Sequence, residues 1–278
     1  MGGASGTPRQ LIVVSSLTSG PVYFDARTAK SIDKGYRSSE IVALRTRLRN
    51  ALALSHGETV IDAGCGSGLL CAEMAKEVGS GGRVIGVDVS TSMLALAKSR
   101  CSKHPEIDLH HGDIHVLPVE DAAADALACM QVLLFVPDVA PTLLEFHRVL
   151  GPSGRLVIVE TDWRSAVLNT SDKDLTHRLF EFWDTVAPSP NLPARMGPLL
   201  REAGFDVTGI EAVPILNTAF EPAGFSHDYV RGLARQAVEA GAMSDTEESH
   251  WIADLEQKDR NGGYFFCVNR FMFMATKN

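Results

Sequence analysis

The chain has 278 residues, of which 45% are hydrophobic and 22% charged, a composition typical of a globular protein with a sizeable core. Its net charge is −8 and no run of Lys or Arg interrupts this acidity, which argues against nucleic acid as a partner. The apolar runs are far shorter than the ~20 residues of a transmembrane helix, so the sequence predicts no membrane span.

The first 20 residues and the cysteines bear on processing and location. Residues 1–20 begin with a Gly/Ser-rich stretch and hold too short an apolar run for a secretory signal, so we predict a flexible tail. Five cysteines without CxxC spacing indicate reduced thiols in a cytoplasmic protein, and neither a disulfide framework nor a zinc site.

Strands and helices alternate between residues 38 and 160. An apolar stripe with a 3.6-residue period predicts a helix over 38–54, and Ser90 is the predicted N-cap of a later helix. Such alternation is typical of βαβ units and a doubly wound, Rossmann-like α/β sheet. The predicted strands are 59–63, 83–88, 107–111, 125–133 and 155–160, and the predicted helices are 38–54, 69–78, 91–100 and 141–150.

The pattern changes after Asp162. Two late extended segments, 206–218 and 264–276, are predicted to pair and to extend the sheet. Ser244 and Glu247 have the spacing of a capping box at the start of the last helix. The predicted helices of this part are 174–183, 198–203, 226–240 and 246–260.

A glycine-rich loop, VIDAGCGSGLL at 60–70, joins the first strand to its helix. Such a loop brings backbone N–H groups and a helix N-terminus close to one ligand. Leu69 stands where a dinucleotide-binding loop has its third glycine, which argues against a bound pyrophosphate. Asp88 ends the second strand, 20 residues after Gly68, where a carboxylate can accept both hydroxyls of a ribose.

A second acidic motif, Gly112-Asp113-Ile114, follows the third strand. Its carboxylate and an adjacent backbone N–H can read the edge of an adenine, with Ile114 against the ring. The loop, Asp88 and Asp113 therefore fall at the carboxyl ends of three strands, which is the ligand-binding edge of a parallel sheet.

These stretches resemble the class I S-adenosylmethionine-dependent methyltransferases, especially those of ubiquinone and menaquinone biosynthesis. The resemblance is densest from Thr59 to Asp162, and its segments are VIDAGCGSG, VIGVDVSTSML, HGDIHVLPVEDAAADAL, VLLFVPDVAPTLLEFHRVLGPSGRLVIVE and the terminal YFFCVNRFMFMAT. It implies a seven-stranded sheet whose last strand is antiparallel, with helical insertions that form a lid. It also implies S-adenosylmethionine as cofactor and one-step SN2 transfer of a methyl group to a small molecule.

The resemblance also divides the chain and assigns binding residues. We expect a single domain over 21–278, with an N-terminal helical cap (21–55), a cofactor-binding core (56–165), and helical insertions with the last two strands (166–278). The loop approaches the methionyl part, Asp88 the ribose, and the third motif the adenine. The predicted cofactor-binding residues are Asp62, Gly64, Cys65, Gly66, Gly68, Asp88, Val89, Met93, Gly112, Asp113, Ile114 and Gln131.

The catalytic residues are harder to predict, because methyl transfer depends mainly on alignment of the two reactants. Asp162 is the best polar candidate for a general base, and capping of the following turn is the alternative role. Arg270 and Asn269 alternate on the last strand, so one of them is expected to enter the pocket. Tyr23, Phe24 and Tyr36 either close over the cofactor or pack in the core. Aromatic residues of the last third favour an apolar or aromatic acceptor.

The sequence does not decide the oligomeric state, and a homodimer is possible. Two other functions also stay open at this point. Relatives carry His or Glu at the positions of Leu134 and Phe135, so a binding protein without turnover is one alternative. A nicotinamide-dependent oxidoreductase is the other, although Leu69 and the third-strand motif argue against it. The set His110, His111, Asp113 and His115 is not predicted to bind metal, because alternating strand positions point to opposite faces.

Overall fold

The computed structural model describes residues 26–222 and 224–278, so the predicted tail at 1–20 and both Tyr23 and Phe24 lie outside the described residues. The described chain forms a seven-stranded sheet in the order β3-β2-β1-β4-β5-β7-β6. The strands are β1 Thr59–Ala63, β2 Arg83–Asp88, β3 Ile107–His111, β4 Ala124–Met130, β5 Leu150–Leu168, β6 Phe205–Asn217 and β7 Phe266–Lys277.

Strands β1 to β5 are all parallel to one another, whereas β7 runs antiparallel to both β5 and β6. The doubly wound sheet with its antiparallel last strand is thereby confirmed. Strand β1 has nearly no exposed residue, because helices cover both faces of a parallel sheet.

Two strand boundaries differ from the predictions. We predicted that the fourth strand runs to residue 133, but β4 ends at Met130 because Gln131 has left-handed backbone geometry with φ +60°. A short 3-10 helix at Leu133–Phe135 follows. We also predicted that the fifth strand ends at residue 160, whereas β5 continues to Leu168 because β7 pairs with it across a register shift between Asp162 and Val167.

The helices agree with the predicted positions, with two differences: helix α1 at Ala26–Gly35 was not among the predicted helices, and helix α7 is longer than predicted. Helix α7 begins at Leu192, six residues before its predicted start, because Pro193 is compatible with the first turn of a helix. The capping box of Ser244 and Glu247 is confirmed at the last helix. The helices are α1 Ala26–Gly35, α2 Ser39–Leu52, α3 Leu69–Val78, α4 Thr91–Cys101, α5 Ala140–Val149, α6 Lys173–Val186, α7 Leu192–Glu202, α8 Phe225–Glu239 and α9 Asp245–Arg260.

The core is divided by the sheet into two apolar clusters. One contains residues of α2, α3, α6, α8 and α9, and the other contains residues of α5 and α7. None of the helices in the described ranges combines the length and the apolar character needed to cross a bilayer.

Candidate functional site

A cavity of about 590 Å³ opens at the carboxyl ends of the central strands. Its volume falls within the ~300–1,000 Å³ typical of small-molecule sites, and its place is where open α/β sheets bind ligands. Eleven of the twelve predicted cofactor-binding residues line it: Asp62, Gly64, Cys65, Gly66, Asp88, Val89, Met93, Gly112, Asp113, Ile114 and Gln131.

Gly68 does not line the cavity. It is the N-cap of α3 with φ +74°, and a Cβ there would lie 3.0 Å from both Ala97 Cβ and Cys101 Sγ. Its lack of a side chain therefore lets α3 pack against α4, as the last glycine of such loops commonly does.

The glycine loop is held by backbone hydrogen bonds to β2. Gly64 N and Cys65 N both donate to Val87 O, at 2.8 and 3.0 Å. Gly64 has φ +81°, and a Cβ at this position would lie only 2.3 Å from a methyl carbon of Val132. The loop thus needs glycine at Gly64 both for its backbone geometry and for the close approach of the segment after β4.

Asp88 links the end of β2 to the loop. One carboxylate oxygen accepts from Gly66 N and the other from Ser90 N, both at 2.8 Å. Burial raises the pKa of Asp88, and these two backbone donors oppose that rise. Each carboxylate oxygen still has a free acceptor direction, so a pair of hydroxyl groups can bind without disturbing the loop.

The glycine loop and Asp88 form two corners of the cavity, and the segment after β3 forms a third. Gly112 N donates to the backbone oxygen of Asp88 at 3.1 Å, which ties this third corner to Asp88, the residue predicted to bind a ribose. Asp113 accepts from His115 N at 2.9 Å and contacts the His115 ring at 2.5 Å. Burial alone would raise the pKa of Asp113, but the bonds from His115 lower it, so this carboxylate is ionised near neutral pH. Ile114 presents a buried apolar side chain beside it.

Asp62 lies beneath the loop and is 2% exposed. Burial raises its pKa to about 7, although the Cys71 thiol donates to its carboxylate at 3.1 Å. A carboxyl group with this pKa can hold or release a proton near neutral pH, and it faces the same cavity as the loop.

Glu160 positions the segment after β4, and the sequence analysis did not identify it. It is fully buried on β5, and one carboxylate oxygen accepts from Val132 N at 2.9 Å and Leu133 N at 2.7 Å. Burial raises its pKa to about 8. The available signal was an acid directly after the apolar run LVIV at 156–159, a position where a charged residue needs a structural reason.

A chain of hydrogen bonds connects β4, β5 and β7 along the cavity wall. Arg270 Nε donates to Thr161 Oγ1 at 3.1 Å, and Thr161 Oγ1 donates to Gln131 Oε1 at 2.5 Å. Gln131 Nε2 then donates to Val159 O at 3.2 Å. Of the two residues expected to alternate on the last strand, Arg270 lines the cavity, while Asn269 is half-buried and is not part of its wall.

Asp162, the predicted general base, does not line the cavity. Its carboxylate accepts from Arg164 N at 3.1 Å within the irregular part of β5, which is the turn-capping alternative that the sequence analysis allowed. Leu134 and Phe135 do line the cavity and give it an apolar wall at this point.

Four aromatic side chains form the far wall, which we call the aromatic chamber: Trp163 of β5, Trp183 of α6, and Phe225 and Tyr229 of α8. Trp163 stacks on Tyr229 with centroids 4.2 Å apart, and Trp183 meets Trp163 edge-on at 5.4 Å. A cluster of aromatic rings this close together favours a planar or apolar ligand.

Among residues 26–222 and 224–278, no group of three or more His, Cys, Asp or Glu side chains has the arrangement of a metal site.

Known proteins share this organisation. A family model described as a methyltransferase domain matches residues 61–158, which run from β1 into β5. A relative, an uncharacterized 37.1 kDa protein of transposon TN4556 from Streptomyces fradiae, is 32% identical over 257 residues, or 91% of this chain and 70% of that protein. The demethylmenaquinone methyltransferase of Staphylococcus aureus is 34% identical over 142 residues, or 49% of this chain and 59% of that enzyme.

One solved structure shows the same fold at lower identity. It is phosphoethanolamine N-methyltransferase 2 of Haemonchus contortus in complex with S-adenosyl-L-methionine, with a TM-score of 0.59 and 18% identity. The similarity covers 91% of this chain and 57% of that one.

Proposed function

Because the chain belongs to the class I S-adenosylmethionine-dependent methyltransferases, we propose that it transfers the methyl group of its cofactor, S-adenosylmethionine, to a small apolar or aromatic acceptor. The cofactor supplies an activated methyl group on a sulfonium, and S-adenosylhomocysteine is the product. Neither a nicotinamide cofactor nor a function without turnover is favoured by this family membership.

Eleven of the residues predicted to bind the cofactor share the cavity. In our proposal the loop at Gly64–Gly66 lies against the methionyl part, Asp88 binds the two ribose hydroxyls, and Asp113 with Ile114 holds the adenine. The observation that carries this proposal is that eleven of the predicted residues, from the ends of four strands, line one common cavity. Backbone bonds from Gly66 and Gly112 to Asp88 keep the three corners in fixed relation.

The acceptor belongs beside the aromatic chamber. The cavity holds about 590 Å³, and the cofactor has to share it with the acceptor, so the acceptor is small. Leu134, Phe135 and Trp183 line this end of the cavity with apolar surface. In this proposal the protein aligns the acceptor for in-line displacement, an effect that can supply ~7–11 kcal/mol of the barrier.

The residues of the cavity define which proton chemistry is available. Asp162 as a general base remains a sequence-based prediction, and its place outside the cavity gives it no support. Asp62 titrates near neutral pH but lies under the loop, on the cofactor side. We therefore propose that the acceptor atom is already nucleophilic when bound.

Location is part of the same proposal. All five cysteines are free thiols and four of them are buried. This supports a site of action in the reducing cytoplasm, where disulfides do not persist.

Calorimetric titration with S-adenosylhomocysteine and, separately, with NADH tests the proposed cofactor site. We expect the former to bind wild-type protein, and we expect Asp88→Ala to cost about 2–4 kcal/mol of its affinity through the loss of two charge-assisted hydrogen bonds. The matched control is Asp108→Ala on the neighbouring strand, whose exposed carboxylate pairs with Arg83 and does not line the cavity. Binding of NADH alone, or unchanged affinity in Asp88→Ala, would contradict the assignment.

A further inference from the structure

Four buried donor groups of the cavity wall have no hydrogen-bond partner among the residues that the structure describes. They are the indole N–H groups of Trp163 and Trp183, the hydroxyl of Tyr229 and Nη1 of Arg270. All four side chains line the cavity. Buried polar groups are nearly always paired in folded proteins. Several unpaired donors at one wall therefore point to a ligand that brings hydrogen-bond acceptors.

Arg270 is the charged member of this set. Arg270 is only 2% exposed to solvent. Its Nε donates to Thr161 Oγ1, and its guanidinium carbon lies 4.8 Å from the centroid of the Phe225 ring. Burial lowers the pKa of Arg270 only to about 10, so the side chain is positive at neutral pH. Within the described ranges no carboxylate forms an ion pair with it. A buried guanidinium in this state attracts an anion.

The nearby acids leave this positive charge largely available. Glu160 acts on the guanidinium through space but forms no ion pair with it: one of its carboxylate oxygens accepts from Val132 N and Leu133 N, and burial raises its pKa. Tyr36 is neutral there because burial raises the pKa of its hydroxyl. Glu40 is ionised, and its carboxylate is already bonded to Asn217. Asp228 also lines the cavity, and its carboxylate is engaged by Lys34 Nζ at 3.5 Å and by the His227 ring at 2.8 Å.

On the basis of the proposed function, we propose that the acceptor is a planar apolar or aromatic molecule with an anionic oxygen, a carboxylate or a phenolate, and that Arg270 binds this oxygen. The unpaired donors of Trp163, Trp183 and Tyr229 suit the remaining lone pairs of such a group. In this structure the four donor atoms are buried and Trp163 stacks on Tyr229. In our proposal the ligand reaches these atoms by separating the two stacked rings.

The methionyl carboxylate of the cofactor is a second anion that Arg270 could bind. The order of strands in the sheet argues against this alternative. The glycine loop follows β1, whereas Arg270 stands on β7, three strands away in the order β1-β4-β5-β7. Neighbouring strands are ~4.8 Å apart, which puts β7 about 14 Å from β1. The bond to Thr161 holds the guanidinium at β5, on the side of the aromatic chamber.

The test compares 2-naphthoate with 2-naphthamide, which have the same rings but differ in charge, by calorimetry on protein saturated with S-adenosylhomocysteine. We expect wild-type protein to bind the naphthoate about tenfold or more tightly than the amide. Arg270→Gln should abolish this preference, and Arg270→Lys should keep part of it. Arg164→Gln, the same change at an exposed arginine paired with Asp184, should leave the preference intact.

Binding of S-adenosylhomocysteine and of 5′-methylthioadenosine to the same variants separates the two sources. If Arg270→Gln weakens S-adenosylhomocysteine but not 5′-methylthioadenosine, Arg270 binds the methionyl carboxylate and our inference is wrong. Equal or undetectable binding of both naphthalene probes to wild-type protein that binds S-adenosylhomocysteine also contradicts it, while the proposed function stands. Failure to bind S-adenosylhomocysteine at all would overturn the proposed function itself.

Tyr229→Phe, which removes one unpaired hydroxyl and keeps the ring, should weaken naphthoate binding severalfold without loss of folding.

Discussion

At the scale of single residues, the backbone and surroundings of Gly64 show why the loop tolerates no side chain at this position. Gly64→Ala would place a Cβ at φ +81° and 2.3 Å from Val132 Cγ2, so both strain and overlap follow. Left-handed geometry alone costs ~1–3 kcal/mol, and the overlap adds to it. We expect a lower melting temperature and loss of S-adenosylhomocysteine binding, measured by thermal unfolding and calorimetry.

Gly57 provides the matched control for this change. Its φ is +88°, but a Cβ there meets no heavy atom within 4 Å, and the residue does not line the cavity. Gly57→Ala should therefore show the strain alone and bind the cofactor product normally. Equal destabilisation of the two variants would mean that the close approach of Val132 carries no energetic weight.

At the scale of elements, helix α1 covers the loop and is held there by one carboxylate. Asp33 accepts from Ser67 Oγ at 2.6 Å, from Arg100 Nη2 at 2.8 Å and from Arg37 Nη2 at 2.7 Å. Burial alone would raise the pKa of Asp33, yet these donors lower it, so the carboxylate is charged at neutral pH. The same helix brings Ile32, and Tyr36 just after its end, to the cavity.

We expect Asp33→Ala to release α1 from the loop. The variant should show faster amide hydrogen exchange over residues 26–36 and about tenfold faster dissociation of S-adenosylhomocysteine, because three donors lose their shared acceptor. Lys34→Ala on the same helix is the control, since that exposed side chain makes a single 3.5 Å contact with Asp228. Unchanged exchange in Asp33→Ala would show that packing alone holds the helix.

The aromatic chamber also belongs to this scale, because it is made by elements far apart in the chain. Trp163 comes from the continued part of β5, Trp183 from α6 and Tyr229 from α8. These elements belong to the insertions and last strands at 166–278 or to the segment directly before them. In our proposal, therefore, the core strands bind the cofactor, and the acceptor site is formed by the insertions together with the end of β5.

At the scale of the whole molecule, two buried acids make stability depend on pH. Burial raises the pKa of Glu160 to about 8 and that of Asp62 to about 7, against about 4.3 and 3.9 in an unfolded chain. Since the folded state binds these protons more tightly, their contribution to the free energy of unfolding is complete at low pH. It is lost as the pH rises toward 7 and 8.

Glu160→Gln isolates this effect, because an amide oxygen can still accept from Val132 N and Leu133 N. Relative to wild type, the variant should gain stability between pH 5 and 8, by up to about 1.4 kcal/mol per pH unit. Urea unfolding at several pH values measures the difference, and Glu202→Gln at an exposed position of α7 is the control. A difference that does not change with pH would mean that Glu160 is ionised throughout.

The sequence determined much of this protein by local rules. Residues 59–63, 69–78 and 83–88 form the predicted strand, helix and strand with the predicted bounds, because apolar periodicity and the glycine loop are encoded within a few neighbouring residues. The same reasoning predicted Asp88 and Asp113 as binding residues, since Asp88 ends a strand and Asp113 lies two residues after the next one, at the ligand-binding edge of the sheet.

Only the tertiary structure decided what depends on partners distant in the chain. The continuation of β5 to Leu168 required pairing with β7, about a hundred residues later in the chain, and it left Asp162 outside the cavity. Glu160 became a positioning residue through bonds to a segment 28 residues earlier, and Arg270 reached the aromatic chamber through the position of its strand in the sheet. The physical reason is that burial and charge pairing depend on contacts between remote segments, which no local pattern encodes.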